Sequence, residues 1–370
     1  TSTYNNGDGT QGKFVQGDYG LVTDPVTMVV TGDYVGTLDI DLQESSTAII
    51  PNTAAGNDFT AILTSTGNVW AWGTNQYGQL GQGNTGGSAG IASSAVNYTS
   101  AVRSNVTPNP QKVMTAAGVY LEDIRSIAAG QYHMVALDRD GHIWTWGRNA
   151  NGQLGTGDQD DRYYATAIHV YEKGEEVSFV GISGGEAHTM ALTVDGEVYA
   201  WGYNGYGQVG TSVDIDSNSN ILVPTKVVGY LGQGHLDNVV MVSAGGHTSV
   251  ALKGNGTVWA WGRNNLGQLG INSQSSQGAP AQVLKGYSDS GDNYIQNIST
   301  ISTGNDHVVV IQTINKLIKD DDGTQHVEQE QKVWGWGSNA YYQLTNGGVG
   351  GPTGGLYTNT FRMIPVRIMK

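Results

Sequence analysis

The sequence predicts an all-β protein assembled from repeated four-stranded sheets, and three observations carry the prediction. All nine tryptophans fall within five copies of one short pattern. Glycine supplies 55 of the 370 residues, about twice the usual share of roughly 7%. It has no three-residue period, which excludes a collagen-type chain. Beside nineteen tyrosines, so much glycine points to tight turns between short strands. Finally, the apolar runs ahead of the tryptophans are split by Asp-Gly or Asn-Gly, the strongest short-range hairpin signal.

Taken in chain order, each copy opens with a strand such as the one in AGQYHMVALDRDGHIWTWG, GGEAHTMALTVDGEVYAWG or AGGHTSVALKGNGTVWAWG. A turn leads into the strand that holds the tryptophan pair. Side chains alternate along VWAWG, so Trp70 and Trp72 share one face while Val69 and Ala71 share the other. Both faces are apolar, one bulky and one small. That suits a sheet sandwiched between two neighbours, large against small. The second tryptophans are Trp72, Trp146, Trp201, Trp261 and Trp336, spaced 74, 55, 60 and 75 residues apart. The core unit is therefore about 55 residues with insertions. Gly-x-Asn follows each pair, ending at Asn75, Asn149, Asn204, Asn264 and Asn339. GQLG comes next, intact in three copies, GQVG at Gly207–Gly210 and YQLT at Tyr342–Thr345. A further strand start, Pro-x-x-Val, recurs at Pro110, Pro224 and Pro280, with looser versions at Pro25, Ala167 and Pro365.

Self-similar four-stranded units at this period, packed face to face, describe a β-propeller. The joint occurrence of A-G-x-x-H-x-x-A-L, D-G-x-V-W-x-W-G and N-x-x-G-Q-L-G resembles the regulator of chromosome condensation repeat family, of a bacterial or phage type. The resemblance covers roughly Pro25 to Lys370 and implies a propeller, usually of seven blades. Five repeats are clear here. The stretch GKFVQGD, Gly12 to Asp18, looks like a worn end of another repeat, and Pro365 to Met369 looks like the start of one. The expectation is six to seven blades, with a ring closed by N- and C-terminal strands. Residues 1–24 are assigned to an N-terminal remnant and 25–370 to the propeller. Polar, loop-like insertions are placed at 84–108 and 313–332.

Composition narrows the function classes. Net charge is −14 with no basic footprint, which argues against nucleic acid and anionic lipid as partners. Cysteine is absent, so disulfides and thiolate zinc sites are impossible. No apolar run is long enough to span a membrane as a helix. The start at Thr1 reads as a processed or excised piece. Richness in Gly, Asn, Ser, Thr and Tyr with few Lys suggests an extracellular or cell-surface protein, or a virion component.

Catalytic signals fail on inspection. His133, His188 and His307 recur at one repeat position, but Phe59 and Thr248 stand there in other copies. Packing and hydrogen bonding explain that exchange; catalysis or metal binding does not. Gly181–Gly185 matches G-x-S-x-G but lies in an entry strand with no helix after it. Asp214, Asp216 and Asn218 are spaced like the start of a calcium loop, yet Ser219 and Thr225 replace its required Gly and Glu. No cofactor is expected. The residue two after each repeat Asn reads Tyr77, Asn151, Tyr206, Leu266 and Tyr341, and equivalent loops would place these in a ring on one face. Arg148, Tyr203 and Arg263 precede three of the asparagines. Exposed aromatic rings with arginine favour protein binding. The alternative is that they only pack on the adjacent blade. The leading expectation is a non-enzymatic interaction module that binds a protein, or itself, through this face. Two others remain: a structural subunit of a surface filament or phage particle, and a protein inhibitor. The family resemblance implies the last, since some relatives inhibit β-lactamases. The nucleotide-exchange role of the family's founding member is not carried over, because the basic segments it would use are missing.

Overall fold

A computed structural model describes residues 3–5, 11–13, 49–86, 105–212, 215, 220–286, 293–320, 324–344 and 361–369. Five four-stranded antiparallel sheets make up the described repeats. Blade one is built from Asn52–Ala55, Phe59–Leu63, Val69–Thr74 and Val106–Lys112. Blade two is built from Ile124–Ala129, His133–Asp138, Ile143–Gly147 and Arg162–Ile168. Blade three uses Phe179–Gly184, His188–Thr193, Val198–Gly202 and Ile221–Lys226. Blade four uses Val239–Ala244, Thr248–Lys253, Val258–Gly262 and Gln277–Gln282. Blade five uses Ile298–Thr303, His307–Lys319, Gln325–Ser338 and Phe361–Met369. First strands of successive blades lie against one another, which places them innermost.

The hairpin between the second and third strands is one residue longer than an Asp-Gly turn requires. In blade two Asp138 N–H donates to His142 O and Gly141 N–H to Asp138 O, with Gly141 at φ +91°. This is a type I turn followed by a left-handed residue, so glycine takes the third loop position.

The prolines at 110, 224, 280 and 365 lie inside the fourth strand of blades one, three, four and five, not at the start of a new repeat. That strand is the outer edge, where a missing N–H breaks no ladder and discourages pairing with a stranger. Pro365 to Met369 therefore completes blade five. Among the described residues the terminal strands do not share a sheet: Thr3–Asn5 pairs with Gln11–Lys13, and Phe361–Met369 with Gln325–Ser338.

The insertion at 313–332 is not a loop. It prolongs the blade-five hairpin as a two-stranded ribbon in register from Thr313↔Gln331 to Lys319↔Gln325. Leu317 and Val327 pair across the ribbon and remain largely exposed, so the backbone ladder and not burial holds these residues as strands. The insertion after GQLG falls mostly outside the described residues, and its last residues from Val106 belong to the fourth strand.

The cores lie between blades, large face against small face as expected. Val69, Ala71 and Leu80 of blade one bury the Trp146 ring of blade two. Val135, Leu137 and Ile143 of blade two meet Trp201. Trp261 and Trp336 repeat the arrangement at the next two junctions. Each buried indole contributes on the order of 4–6 kcal/mol of transfer free energy.

Each indole also makes a hydrogen bond that fixes the blade spacing. Nε1 of Trp146, Trp201, Trp261 and Trp336 donates to the carbonyl of Gln79, Gln153, Gln208 and Gln268 in the preceding blade, at 2.9–3.0 Å. The last glycine of GQLG makes room for this approach: a Cβ on Gly155 would lie 2.8 Å from Trp201 Nε1.

Candidate functional site

The GxNxxGQLG loops are rigid, and their polar residues make them so. The Oδ1 of Asn75, Asn149, Asn204, Asn264 and Asn339 accepts the N–H of the residue five positions on, at 2.8–3.0 Å. The Oε1 of the motif glutamine accepts the N–H of Tyr77, Asn151, Tyr206, Leu266 or Tyr341 at 2.8–2.9 Å. The side-chain oxygens of the motif Asn and Gln are thus spent on the loop itself.

On the same face run the turns between first and second strands. Their backbones form a rope across the blades: Asn57 N–H to Gln131 O, Gln131 to Glu186, Glu186 to Gly246 and Gly246 to Asn305, at 2.9–3.2 Å. This rope gives the loops a fixed footing.

The candidate residues do not form one even ring. Two stations collect most of them. At the first, Tyr77 of blade one meets Tyr132 of blade two edge to face at 5.2 Å, and the Arg148 guanidinium lies 4.9 Å from the Tyr77 ring centre and 5.8 Å from that of Tyr132. At the second, Tyr206 lies 5.2 Å from His247, with Arg263 over its ring at 5.4 Å and Tyr203 6.2 Å away. Each station combines a tyrosine from one blade with an arginine and a turn residue from the next. All of these side chains are half-buried. The tyrosines therefore pack on the adjacent blade and still offer an edge to solvent.

The rest lie apart. Asn151 accepts from Asn220 Nδ2 at 3.4 Å. Leu266 is half-buried. Tyr341 is 90% exposed and touches no ring among the described residues. The calcium candidates Asp214, Asp216 and Asn218 lie outside the described residues. No group of three or more metal-ligating side chains occurs among the described ones.

Sequence reasoning missed Tyr132 and His247, because their turn is not a tyrosine position in the repeat. His247 is nonetheless the one-place departure from the recurring histidine. Its Nε2 faces Glu186 at 3.5 Å, and burial lowers its affinity for a proton while Glu186 works the other way.

The recurring histidines are structural. His133 Nε2 lies 3.0 Å from Thr189 Oγ1 in the next blade, and Thr189 donates to Gln153 O at 2.8 Å. His188 repeats this with Ser249 and Gln208 O at 3.0 and 2.7 Å. Since each hydroxyl donates to a carbonyl, each imidazole must be the Nε2–H tautomer. Burial lowers the pKa of His133 to about 4 and of His188 to about 3. Where the histidine is replaced the hydroxyl is replaced too: Phe59 is followed in the next blade by Met134, and Thr248 by Val308. Ser183 of the G-x-S-x-G match accepts Ala244 N–H of the next blade at 2.9 Å, a stitch repeated by Ser243 and Thr303.

A different cluster lies on the opposite face. His142 bridges Asp138 at 3.2 Å and Glu176 at 3.7 Å, and His169 meets Glu176 at 2.6 Å. Glu176 stands on a small hairpin, Tyr171–Glu172 paired with Glu175–Glu176, outside the four-stranded pattern.

Repeated four-stranded sheets joined through tryptophan-filled interfaces define a β-propeller. The Regulator of chromosome condensation (RCC1) repeat matches residues 66–137, 140–192, 195–252 and 255–311, and the chain belongs to this family. The Ultraviolet-B receptor UVR8 of Arabidopsis thaliana is 33% identical over 230 residues, 61% of this chain and 44% of that protein. The human probable E3 ubiquitin-protein ligase HERC4 is 33% identical over 236 residues, 63% of this chain and 19% of that protein. The chain thus spans less than half the length of these curated relatives. Among solved structures, human WBSCR16 superposes with a TM-score of 0.57 at 20% identity, covering 86% of this chain and 66% of that one. Yeast RCC1 (Prp20), solved bound to Kap60, gives 0.53 at 18%, covering 86% and 74%. At such identities the likeness speaks for the fold alone.

Proposed function

We propose that this chain is a non-enzymatic protein-interaction module that engages its partner through the loop face carrying the two arginine–aromatic stations. The observation that carries this is their construction. Tyr77, Tyr132 and Arg148, and Tyr203, Tyr206, His247 and Arg263, are held on rigid loops and only half-buried. Large rings and arginines that need no reordering lose little entropy on docking and make the strongest interface anchors. Yeast RCC1 (Prp20) is solved bound to its protein partner Kap60, and a second structure of the same protein is described by its binding properties to Gsp1p and histones. That supports a protein as partner here, without transferring those partners.

An extracellular, surface or virion setting, and the bacterial or phage origin expected with it, are supported by composition alone. The curated relatives named above are proteins of Arabidopsis thaliana and human. The filament reading drew on an open-ended repeat at each terminus; at the C-terminal one, Phe361–Met369 is already paired within blade five.

The test uses the whole chain as bait on material from its native source, beside Tyr203→Ser/Tyr206→Ser/Arg263→Ser and Tyr77→Ser/Arg148→Ser. Loss of the same captured protein in either variant, with that variant still folded and unfolding cooperatively in urea, supports the reading. Unchanged capture by both variants overturns it.

A further inference from the structure

We propose that Arg148 is the docking point for a carboxylate side chain on a short acidic segment of the partner protein. The inference rests on the loop-face reading and narrows it to a chemistry.

The two stations are built alike but finished differently. Each arginine lies over the tyrosine ring of the preceding loop, 4.9 Å from its centre for Arg148 and 5.4 Å for Arg263. Beyond each lies the first-to-second-strand turn of the following blade. For Arg263 that turn supplies Asp306, 3.6 Å from its Nη1. The equivalent residue for Arg148 is Ala187. Glu186 beside it faces His247 instead, and Asp161 accepts the Asn149 N–H at 2.7 Å. Among the described residues no carboxylate lies within ion-pair distance of Arg148, and its guanidinium makes no hydrogen bond.

A cation–ring contact of this kind, at 4.9 Å from the Tyr77 ring centre and 5.8 Å from that of Tyr132, uses none of the five guanidinium N–H donors in a conventional hydrogen bond. A half-buried arginine with an unused donor edge lacks what a bidentate carboxylate supplies. The gap at Ala187 is where the repeat elsewhere places one. The occupant is a short segment because the chain carries net charge −14, which opposes a long polyanion such as nucleic acid.

The internal counterpart gives a clean test. Asp already stands at the equivalent position in blades one and five, as Asp58 and Asp306, so the turn backbone accepts Ala187→Asp. That variant should close Arg148 onto an internal partner. The measurement is NMR of arginine Nε–Hε signals in the full chain, with Arg148 assigned through Arg148→Gln. The probe is a short peptide with one Glu among neutral residues, beside its Gln counterpart and oligothymidylate. The expected result is a saturable Arg148 shift with the Glu peptide alone. Ala187→Asp should weaken it at least about tenfold, while Arg263 stays unmoved. No shift, an equal shift with the Gln peptide or oligothymidylate, or a shift unaffected by Ala187→Asp overturns the proposal. If Arg148 is silent while Tyr203→Ser/Tyr206→Ser/Arg263→Ser still loses its captured protein, this inference falls and the loop-face reading stands.

Discussion

Replacing Thr189 by Val tests whether the blades are held in register by the histidine–hydroxyl–carbonyl chain. The substitution keeps the shape and removes one hydroxyl that does two jobs. Gln153 O loses the bond from Thr189 at 2.8 Å but keeps that from Trp201 at 2.9 Å, so this half costs about 1 kcal/mol. The other half is more expensive. His133 is fully buried, its Nδ1 already lacks a partner, and its Nε2–H would lose its acceptor. An orphaned buried donor costs about 1–3 kcal/mol, so the total is about 2–4 kcal/mol. His133→Phe removes the donor and mimics blade one, where Phe59 occupies the same glycine-lined cradle beside Gly56. The double variant should then be more stable than the sum of the singles implies, with a coupling of about 1–3 kcal/mol. Urea unfolding followed by tryptophan fluorescence reads all four proteins, because Trp201 sits at this junction. A cost for Thr189→Val below about 0.5 kcal/mol, or additive singles, would refute the reasoning.

Three further outcomes follow from the same interfaces. His133 and His188 have folded pKa values of about 4 and about 3, below the roughly 6.5 of an unfolded histidine. The unfolded chain therefore binds more protons between those limits. The stability is complete above about pH 6.5 and falls as pH drops toward 4 and then 3, by at most roughly 3 and roughly 5 kcal/mol. Urea midpoints across this range check it, and His133→Phe should flatten the profile. Gly155→Ala forces a Cβ against Trp201 Nε1 at φ +74° and should cost about 2–4 kcal/mol by urea midpoint. Tyr341→Ser should leave stability within about 0.5 kcal/mol, since the ring is 90% exposed, whereas Tyr206→Ser should shift the midpoint measurably.

Much of the fold was legible because a blade is written locally. In blades one to four the strand, turn and strand of the hairpin lie within a short local stretch, such as His133–Gly147, and the pattern repeats often enough to be unmistakable. The loop face was legible for the same reason, down to Tyr77, Tyr206, Arg148 and Arg263. The ribbon at 313–332 was misread because its polar residues suggested a loop. Pairing with its own second half makes a strand of a polar run. The station partners Tyr132 and His247 were missed because a contact between blades leaves no local spacing to read. Tyr77 and Tyr132 are far apart in sequence, and His133 reaches Thr189 across 56 residues.

By itself the sequence determined the repeat, the direction each strand faces, and the glycines and asparagines that set each loop. These depend on backbone geometry and short-range hydrogen bonds, which a few neighbouring residues fix. Only the tertiary structure decided what the variable positions do. It joined His133 to a hydroxyl of the next blade and set Asp306 against Arg263. It gave Arg148 no carboxylate partner among the described residues, where the equivalent turn residue is Ala187. Those outcomes depend on which residue of one blade meets which of the next. That register is set by Trp201 reaching Gln153 and its equivalents, a contact that exists only once the blades are packed.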